Sequence, residues 1–357
     1  MRSGLVQRVY IIGLYDTGLE EYEEIDQCRT VWRVRLWSRE MPRVLIFQLI
    51  KYLELSVRVF WFTKKNNIDI INIHRVHFLP FGVLASWFCK ARLIYDAHEL
   101  ETETYGLDGF RKFCARHVER KLIKYAELII VVSDRIKDWY FDEYKLSNIV
   151  TVLNCPKHQK PKHSKLLHKE LDIPNGKKIV LYQGSFQAGR GIESLLRVFS
   201  EFDDATHVLV LMGYGKLEPL VAKWADKYNN IYMQEAVDPG VVLQYTASAD
   251  VGVSYIDNPS LNDRLCLPNK LFEYIMAGLP VIVNDAPEMS RVVEKHQIGI
   301  VMQGLTVESL KNALESLALI EPEIMNKNLK RASEVYCWEN QERAMINAYK
   351  HHTTNLK

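Results

Sequence analysis

Leu267 to Val283 constrains the rest of the chain more than any other stretch. It reads Leu-Pro-Asn-Lys-Leu-Phe-Glu-Tyr-Ile-Met-Ala-Gly-Leu-Pro-Val-Ile-Val, a helix followed at once by a strand. Pro268 suits the first helical position, where its fixed φ helps and its missing N–H is not needed. Gly278 suits the position just past the helix end, and Pro280 cannot continue the helix. Val281 to Val283 run without alternation, as strands covered on both faces do. Asn269, Lys270 and Glu273 fall within one turn of each other. The helix N-terminus offers free N–H groups and a partial positive charge, so with Lys270 it can hold an anion. One turn deeper, Glu273 can accept two hydroxyl protons. Phosphates at the mouth and a diol one turn down is the geometry of a nucleotide sugar. The bland alternative is a surface i,i+3 ion pair; it serves for any one residue and less well for the whole string.

The flanking sequence repeats the strand–helix alternation. In the first half, strands are expected at Arg8 to Leu14, Val31 to Leu36, Ile68 to Ile73, Arg92 to Tyr95 and Leu128 to Val132. Helices are expected at Arg43 to Lys65, Phe81 to Lys90 and Gly109 to Tyr125, with an acidic loop at Asp16 to Asp26. In the second half, Ile-Val-Leu-Tyr-Gln from Ile179 leads into Gly184, Ser185 and a glycine-containing turn. That turn can approach phosphate closely, and Arg190 can donate to it bidentately. His207 to Met212 is the next strand, ending in Gly213-Tyr214-Gly215; one long helix, Lys327 to Lys350, closes the chain. Such alternation implies parallel, doubly wound sheets. His74 and His98 both follow strands, where open α/β sheets bind ligands.

The Leu-Pro-Asn-Lys-Leu-Phe-Glu-Tyr string followed by Ala-Gly-Leu-Pro-Val-Ile resembles the nucleotide-sugar helix of retaining GT-B glycosyltransferases of family 4. That resemblance implies two Rossmann-like domains facing across a cleft, with Glu273 on the donor ribose. In the family's Glu-x7-Glu signature the first Glu would fall at Leu265, a departure from the full pattern. The strings around His74 and His98 resemble first-domain motifs, and His98 matches a histidine near the donor sugar and acceptor. Arg190 stands where the family has Lys, and Gly213 and Gly215 resemble its Gly-x-Gly near the base. Asp263 and Arg264 lie in the expected donor loop, Ile256 to Cys266. Relatives usually open with a strand, a glycine-rich loop and a helix before the strand resembling Val9 to Leu14. That unit is expected to be missing, leaving Val9 to Leu14 beside a poorly covered central position.

Composition excludes several classes. A formal net charge of +2 over 357 residues gives no case for bulk electrostatic binding of nucleic acid. No signal peptide follows Arg2 and Arg8, and Val44 to Phe62 is interrupted by Lys51, Glu54 and Arg58, so no membrane span is expected. The six cysteines lack paired metal spacing and read as free thiols of a reducing compartment. Arg116, Arg120, Lys121 and Lys124 give one helix a basic face. It is either a solvated face on which Glu119 pairs, or a contact for anionic lipid head groups or a polyprenyl diphosphate. Trp32, Trp37 and Trp61 in Val31 to Phe62 add to the second reading.

The expected domains are 1–155 on the acceptor side, a Pro- and Lys-rich linker at 156–177, the donor domain at 178–334, and a helix at 335–357 bracing the first domain. The expected activity transfers a sugar from a UDP- or GDP-sugar to a hydroxyl with retention, in cell-surface polysaccharide or glycolipid assembly. No cofactor or metal is expected. The donor residues are Gly184, Ser185, Arg190, Gly213, Gly215, Asn269, Lys270, Leu271 and Glu273; His98 and His74 are the catalytic candidates. Expected partners are the donor, a glycan or lipid-linked acceptor and a membrane touched peripherally from the cytoplasm. A GT-B sugar-nucleotide epimerase and a non-catalytic sugar-nucleotide-binding protein are the alternatives.

Overall fold

The computed structural model describes residues 4–160, 162–202, 206–257 and 260–353. Arg2, Pro161 of the expected linker, and residues 258–259 of the expected donor loop lie outside them. Strands β1 (Val9–Leu14), β2 (Tyr22–Asp26) and β3 (Arg29–Val34) precede α1 (Leu45–Lys65). Then come β4 (Ile70–Ile73), α2 (Leu79–Cys89), β5 (Arg92–Ala97), α3 (Gly109–Leu122) and β6 (Leu128–Val131). Next are α4 (Asp134–Tyr144), β7 (Ile149–Thr151) and α5 (Leu166–Glu170). The second half runs β8 (Lys178–Ser185), α6 (Ile192–Glu201), β9 (His207–Tyr214), α7 (Glu218–Lys227), β10 (Ile231–Glu235), α8 (Val242–Thr246) and β11 (Val251–Ser254). It continues through α9 (Leu261–Leu265), α10 (Asn269–Ala277), β12 (Val281–Asn284), α11 (Pro287–His296) and β13 (Gly299–Met302). Helices α12 (Val307–Ala318), α13 (Pro322–Val335) and α14 (Trp338–Thr353) end it. The chain divides into two α/β units: residues 1–97, 113–130 and 345–357, and residues 98–112 and 131–344.

This division departs from the expected boundary near 155. Residues 131–155 group with the second unit because α4 is bonded to it. The Ser133 hydroxyl donates to the Leu265 carbonyl, and Arg291 reaches Asp134 at 3.2 Å while holding the buried Glu288 at 2.8 Å. The expected single closing helix is two, broken at Tyr336 and Cys337.

In the second unit, β10-β9-β8-β11-β12-β13 form one sheet, parallel throughout. Counted from β8, this is the 3-2-1-4-5-6 order of dinucleotide-binding sheets, with its topological switch point between β8 and β11. Alternation along the strands fills a core on each face: Ile179 and Leu181 join Leu271, Ile275 and Val292 on one side. Val180 and Tyr182 join Leu195, Phe199 and Leu310 on the other. Helix α10 ends as expected, Gly278 being left-handed at φ 75°. Pro268 sits one residue before the helix and not within it.

The first unit corrects two expectations. Val9–Leu14 does not lie beside a central position but forms the edge of a three-stranded sheet of order β1-β3-β2, with Ile11, Ile12 and Leu14 exposed. The acidic stretch is not a plain loop: β2 pairs antiparallel with β3. Its turn is fixed by Asp26, whose carboxylate accepts the N–H groups of Cys28 and Arg29 at 2.9 and 2.8 Å and pairs with Arg29 Nε at 2.7 Å. Strands β4 to β7 form a separate sheet in sequence order, β4 and β5 being parallel. On α3, Glu119 is buried and accepts from the Tyr95 hydroxyl at 3.0 Å, so it is not part of a solvated surface pair.

Candidate functional site

The switch point puts the C-terminal ends of β8 and β11 beside α10, which runs between β11 and β12. Strand β8 ends in Gln183, Gly184 and Ser185, the last two exposed. Gly184 adopts φ +125°, a conformation open to glycine, and the Lys270 side chain lies against it. The Lys270 ammonium sits 3.5 Å from the centroid of the Tyr182 ring, a cation–π contact. Burial, and then repulsion from Arg190, push its pKa down to about 7; Glu273 opposes them. The neutral amine is therefore far more populated near pH 7 than that of an ordinary lysine.

Glu273 is half-buried one turn further along α10. Burial pushes its carboxyl pKa up against the lowering pulls of Gln183 and Lys270. The Gln183 side-chain amide donates to Glu273 Oε2, and its carbonyl lies 2.8 Å from the Thr246 hydroxyl. The Gln183 N–H donates to the Tyr274 hydroxyl at 3.0 Å, itself 3.0 Å from the Leu181 carbonyl. Tyr274 fits because Gly252 of β11 lacks a Cβ, which would come within 2.5 Å of its ring. Gln183, Thr246 and Tyr274 thus hold the carboxylate in place, and none of the three is an expected site residue. One signal was available for Gln183: it is the polar residue that ends the apolar run directly before Gly184.

Arg190 lies in the turn before α6, its Nη1 3.5 Å from Asp263 Oδ1. Asp263 is fixed in turn by a capping box with Ser260. Beside it, the Asn262 carboxamide accepts the Leu100 N–H at 2.7 Å, tying the segment just after His98 to α9. Burial, then Asp263, push the Cys266 thiol up to about 12, which keeps it protonated. The second unit thus gathers Gly184, Ser185, Arg190, Lys270 and Glu273 around the ends of β8 and α10.

The other expected residues stand as follows. Asn269 is exposed at the first position of α10. Leu271 is fully buried in the core, and its N–H bonds the Pro268 carbonyl at 3.0 Å. Gly213 and Gly215 serve a close backbone crossing: a Cβ would meet the Gly184 carbonyl oxygen at 1.9 Å and the Phe186 carbonyl oxygen at 2.6 Å. His74, in the first unit, faces Asp96 at 3.4 Å. His98 is exposed and begins the second unit.

Residues 3–156 match the family described as Glycosyltransferase Family 4, and residues 177–319 match Glycosyl transferases group 1. One match falls in each half of the chain, and the fold they accompany is that of GT-B proteins. Sucrose-phosphate synthase from Thermosynechococcus elongatus superposes with a TM-score of 0.75 over 96% of this chain and 88% of its own, at 16% identity. Anabaena HepE in complex with UDP-glucose gives 0.70 over 90% and 86%, at 14% identity. In sequence, chitobiosyldiphosphodolichol beta-mannosyltransferase of Candida albicans is 23% identical over 297 residues, 74% of this chain. The chain spans 63% of that relative's length.

Proposed function

We propose that the chain transfers a hexose from a UDP- or GDP-sugar to a hydroxyl of a glycan or lipid-linked acceptor, with retention at the anomeric carbon. The observation that carries this reading is Glu273, held by Gln183 one helical turn below Lys270 and the N-terminus of α10. The carboxylate suits the ribose diol. Lys270, Arg190 and the first N–H groups of α10 suit the diphosphate, and would stabilise it as it leaves. A diphosphate beside Lys270 adds its negative charge to the pull of Glu273, so the bound donor restores the ammonium. His98 is assigned to orient the sugar or acceptor. In the retaining reaction the leaving phosphate takes the acceptor proton, so no side-chain base is required.

Two relatives support the choice of ligands. HepE was solved with UDP-glucose, and the Candida enzyme is named for a diphosphodolichol-linked acceptor. That acceptor class supports a place in glycolipid or cell-surface polysaccharide assembly, with peripheral membrane contact. The test is a thermal-shift screen of UDP-glucose, UDP-N-acetylglucosamine and GDP-mannose, because a ligand that binds only the folded chain raises Tm. The stabilising donor is then incubated with extracted lipid-linked acceptors, and the anomeric proton of the product is read by NMR. An inverted product removes retention. Donor conversion to its epimer without acceptor removes transfer, and no shift with any donor removes the donor site.

A further inference from the structure

We propose that the outer face of α1 and α2 docks on an anionic phospholipid surface. Helix α1 turns Leu55, Val59 and Phe62 inward onto Trp32 and Val34 of β3. On other faces it carries Leu45, Leu49, Leu53, Val57 and Trp61, four residues apart and 54–78% exposed. Helix α2 adds Leu84, Trp87 and Phe88 at 51–71%. The two helices are in contact and their rings join: Phe60 meets Trp61 at 5.9 Å and Phe88 at 6.0 Å, and Trp87 meets Tyr125 at 5.1 Å. A lysine stands at each end of this aromatic strip. Lys64 Nζ lies 5.5 Å from the centre of the Trp61 ring, and Lys124 Nζ 5.2 Å from that of Tyr125. Singly exposed apolar residues need no explanation, but a continuous face of them marks an interaction surface.

Charge decides what covers it. The first unit holds 20 Lys and Arg against 12 Asp and Glu, a formal +8; the second holds 26 against 32, a formal −6. The overall +2 hides this asymmetry. A second copy would bring two units of formal +8 together in a symmetric contact, with like-charge repulsion. An anionic bilayer meets both features at once, with Trp and Tyr rings at the head-group level and lysines reaching phosphates. No helix among the described residues is long and apolar enough to cross a membrane, so α1 lies on the surface. The purpose of this face rests on the lipid-linked acceptor proposed above, but its test needs neither donor nor turnover.

The full chain is floated with phosphatidylcholine vesicles, with and without phosphatidylglycerol. Binding is expected only to the mixed vesicles, falling as salt rises. The triple variant Trp61→Ser/Trp87→Ser/Phe88→Ser and the double variant Lys64→Glu/Lys124→Glu should each lose about tenfold in partition. Leu319→Ser, at the 86% exposed Leu319 of the second unit, should lose nothing. A retained donor-induced thermal shift shows that the variants are folded; absence of that shift in every form counts against the donor reading alone. Failure to bind mixed vesicles, or binding unchanged in both variants, overturns the proposal. So does a dimer in light scattering that the triple variant dissociates, which would assign the face to a second copy.

Discussion

The ends of β8 and α10 and the outer face of α1 and α2 solve opposite problems with the same kinds of residue. At the first, a lysine and a glutamate are half-buried, and each rests on a neighbour: Tyr182 under Lys270, Gln183 against Glu273. At the second, apolar chains and two lysines stand in solvent, held in place only by their helices and by ring contacts. Where a small ligand is to be gripped, partner groups are fixed beforehand, and burial shifts the charges to suit the ligand's arrival. Where an extended surface is to be met, apolar area and cations suffice. One region should be sensitive to single atoms, the other only to several residues at once.

Glu273→Ala should produce the largest effect, about a 100-fold loss of donor affinity, since charged hydrogen bonds to two hydroxyls are removed. Calorimetry checks it, with an unchanged ligand-free melting temperature. Unchanged affinity with lowered stability would make Glu273 structural and erase the contrast. His98→Ala should come next, lowering kcat roughly 50-fold as an orienting contact is lost while donor affinity stays within about twofold. Equal loss of both would remove His98 from the catalytic list.

Lys270→Met should cost about tenfold in donor affinity, less than an ordinary lysine because burial and Arg190 already favour the neutral amine in the ligand-free chain. It sharpens the comparison through pH. The folded pKa is pushed down to about 7 from the ordinary lysine value of 10.5, so between these values the unfolded chain holds the extra proton. Ligand-free stability should therefore gain a contribution as pH rises through that window, and Lys270→Met should remove it. Urea melts at pH 7 and pH 9 read the difference. Donor binding near pH 8 should take up protons, seen as a dependence of binding enthalpy on buffer ionisation. The smallest effect belongs to Thr246→Val, which leaves the Gln183 carbonyl without its hydroxyl and should weaken donor binding about threefold. An effect as large as that of Glu273→Ala would show that Gln183 turns away once released.

Legibility followed punctuation. Helix α10 and β12 were readable because Pro268, Gly278 and Pro280 bracket them and an unbroken apolar run follows. The three-stranded sheet was not, because Tyr-Glu-Glu-Ile-Asp has no apolar face and its pairing depends on the Asp26 turn. Strand β13 is only four residues long, too short to stand out, and the break at Tyr336–Cys337 carries neither Gly nor Pro. At the site, Lys270, Glu273 and Arg190 could be named because their charges advertise a ligand. Gln183, Thr246 and Asn262 could not: they are neutral, and their roles arise from contacts across 63, 90 and 162 positions of sequence. The exposed face of α1 was partly visible as tryptophans among arginines, yet burial alone tells which side of a helix looks outward.

The lysine over Tyr182 has a chemical consequence beyond binding. Most lysine amines are protonated near neutrality and react slowly with acylating or carbamylating reagents, whereas one with a pKa pushed down to about 7 offers much more of the nucleophilic free amine at that pH. Brief treatment with a limiting reagent at pH 7 should therefore mark Lys270 ahead of fully solvated lysines such as Lys64 and Lys124. A bound diphosphate would restore the ammonium and silence it, so the mass of one peptide would report occupancy of the site without any knowledge of the sugar.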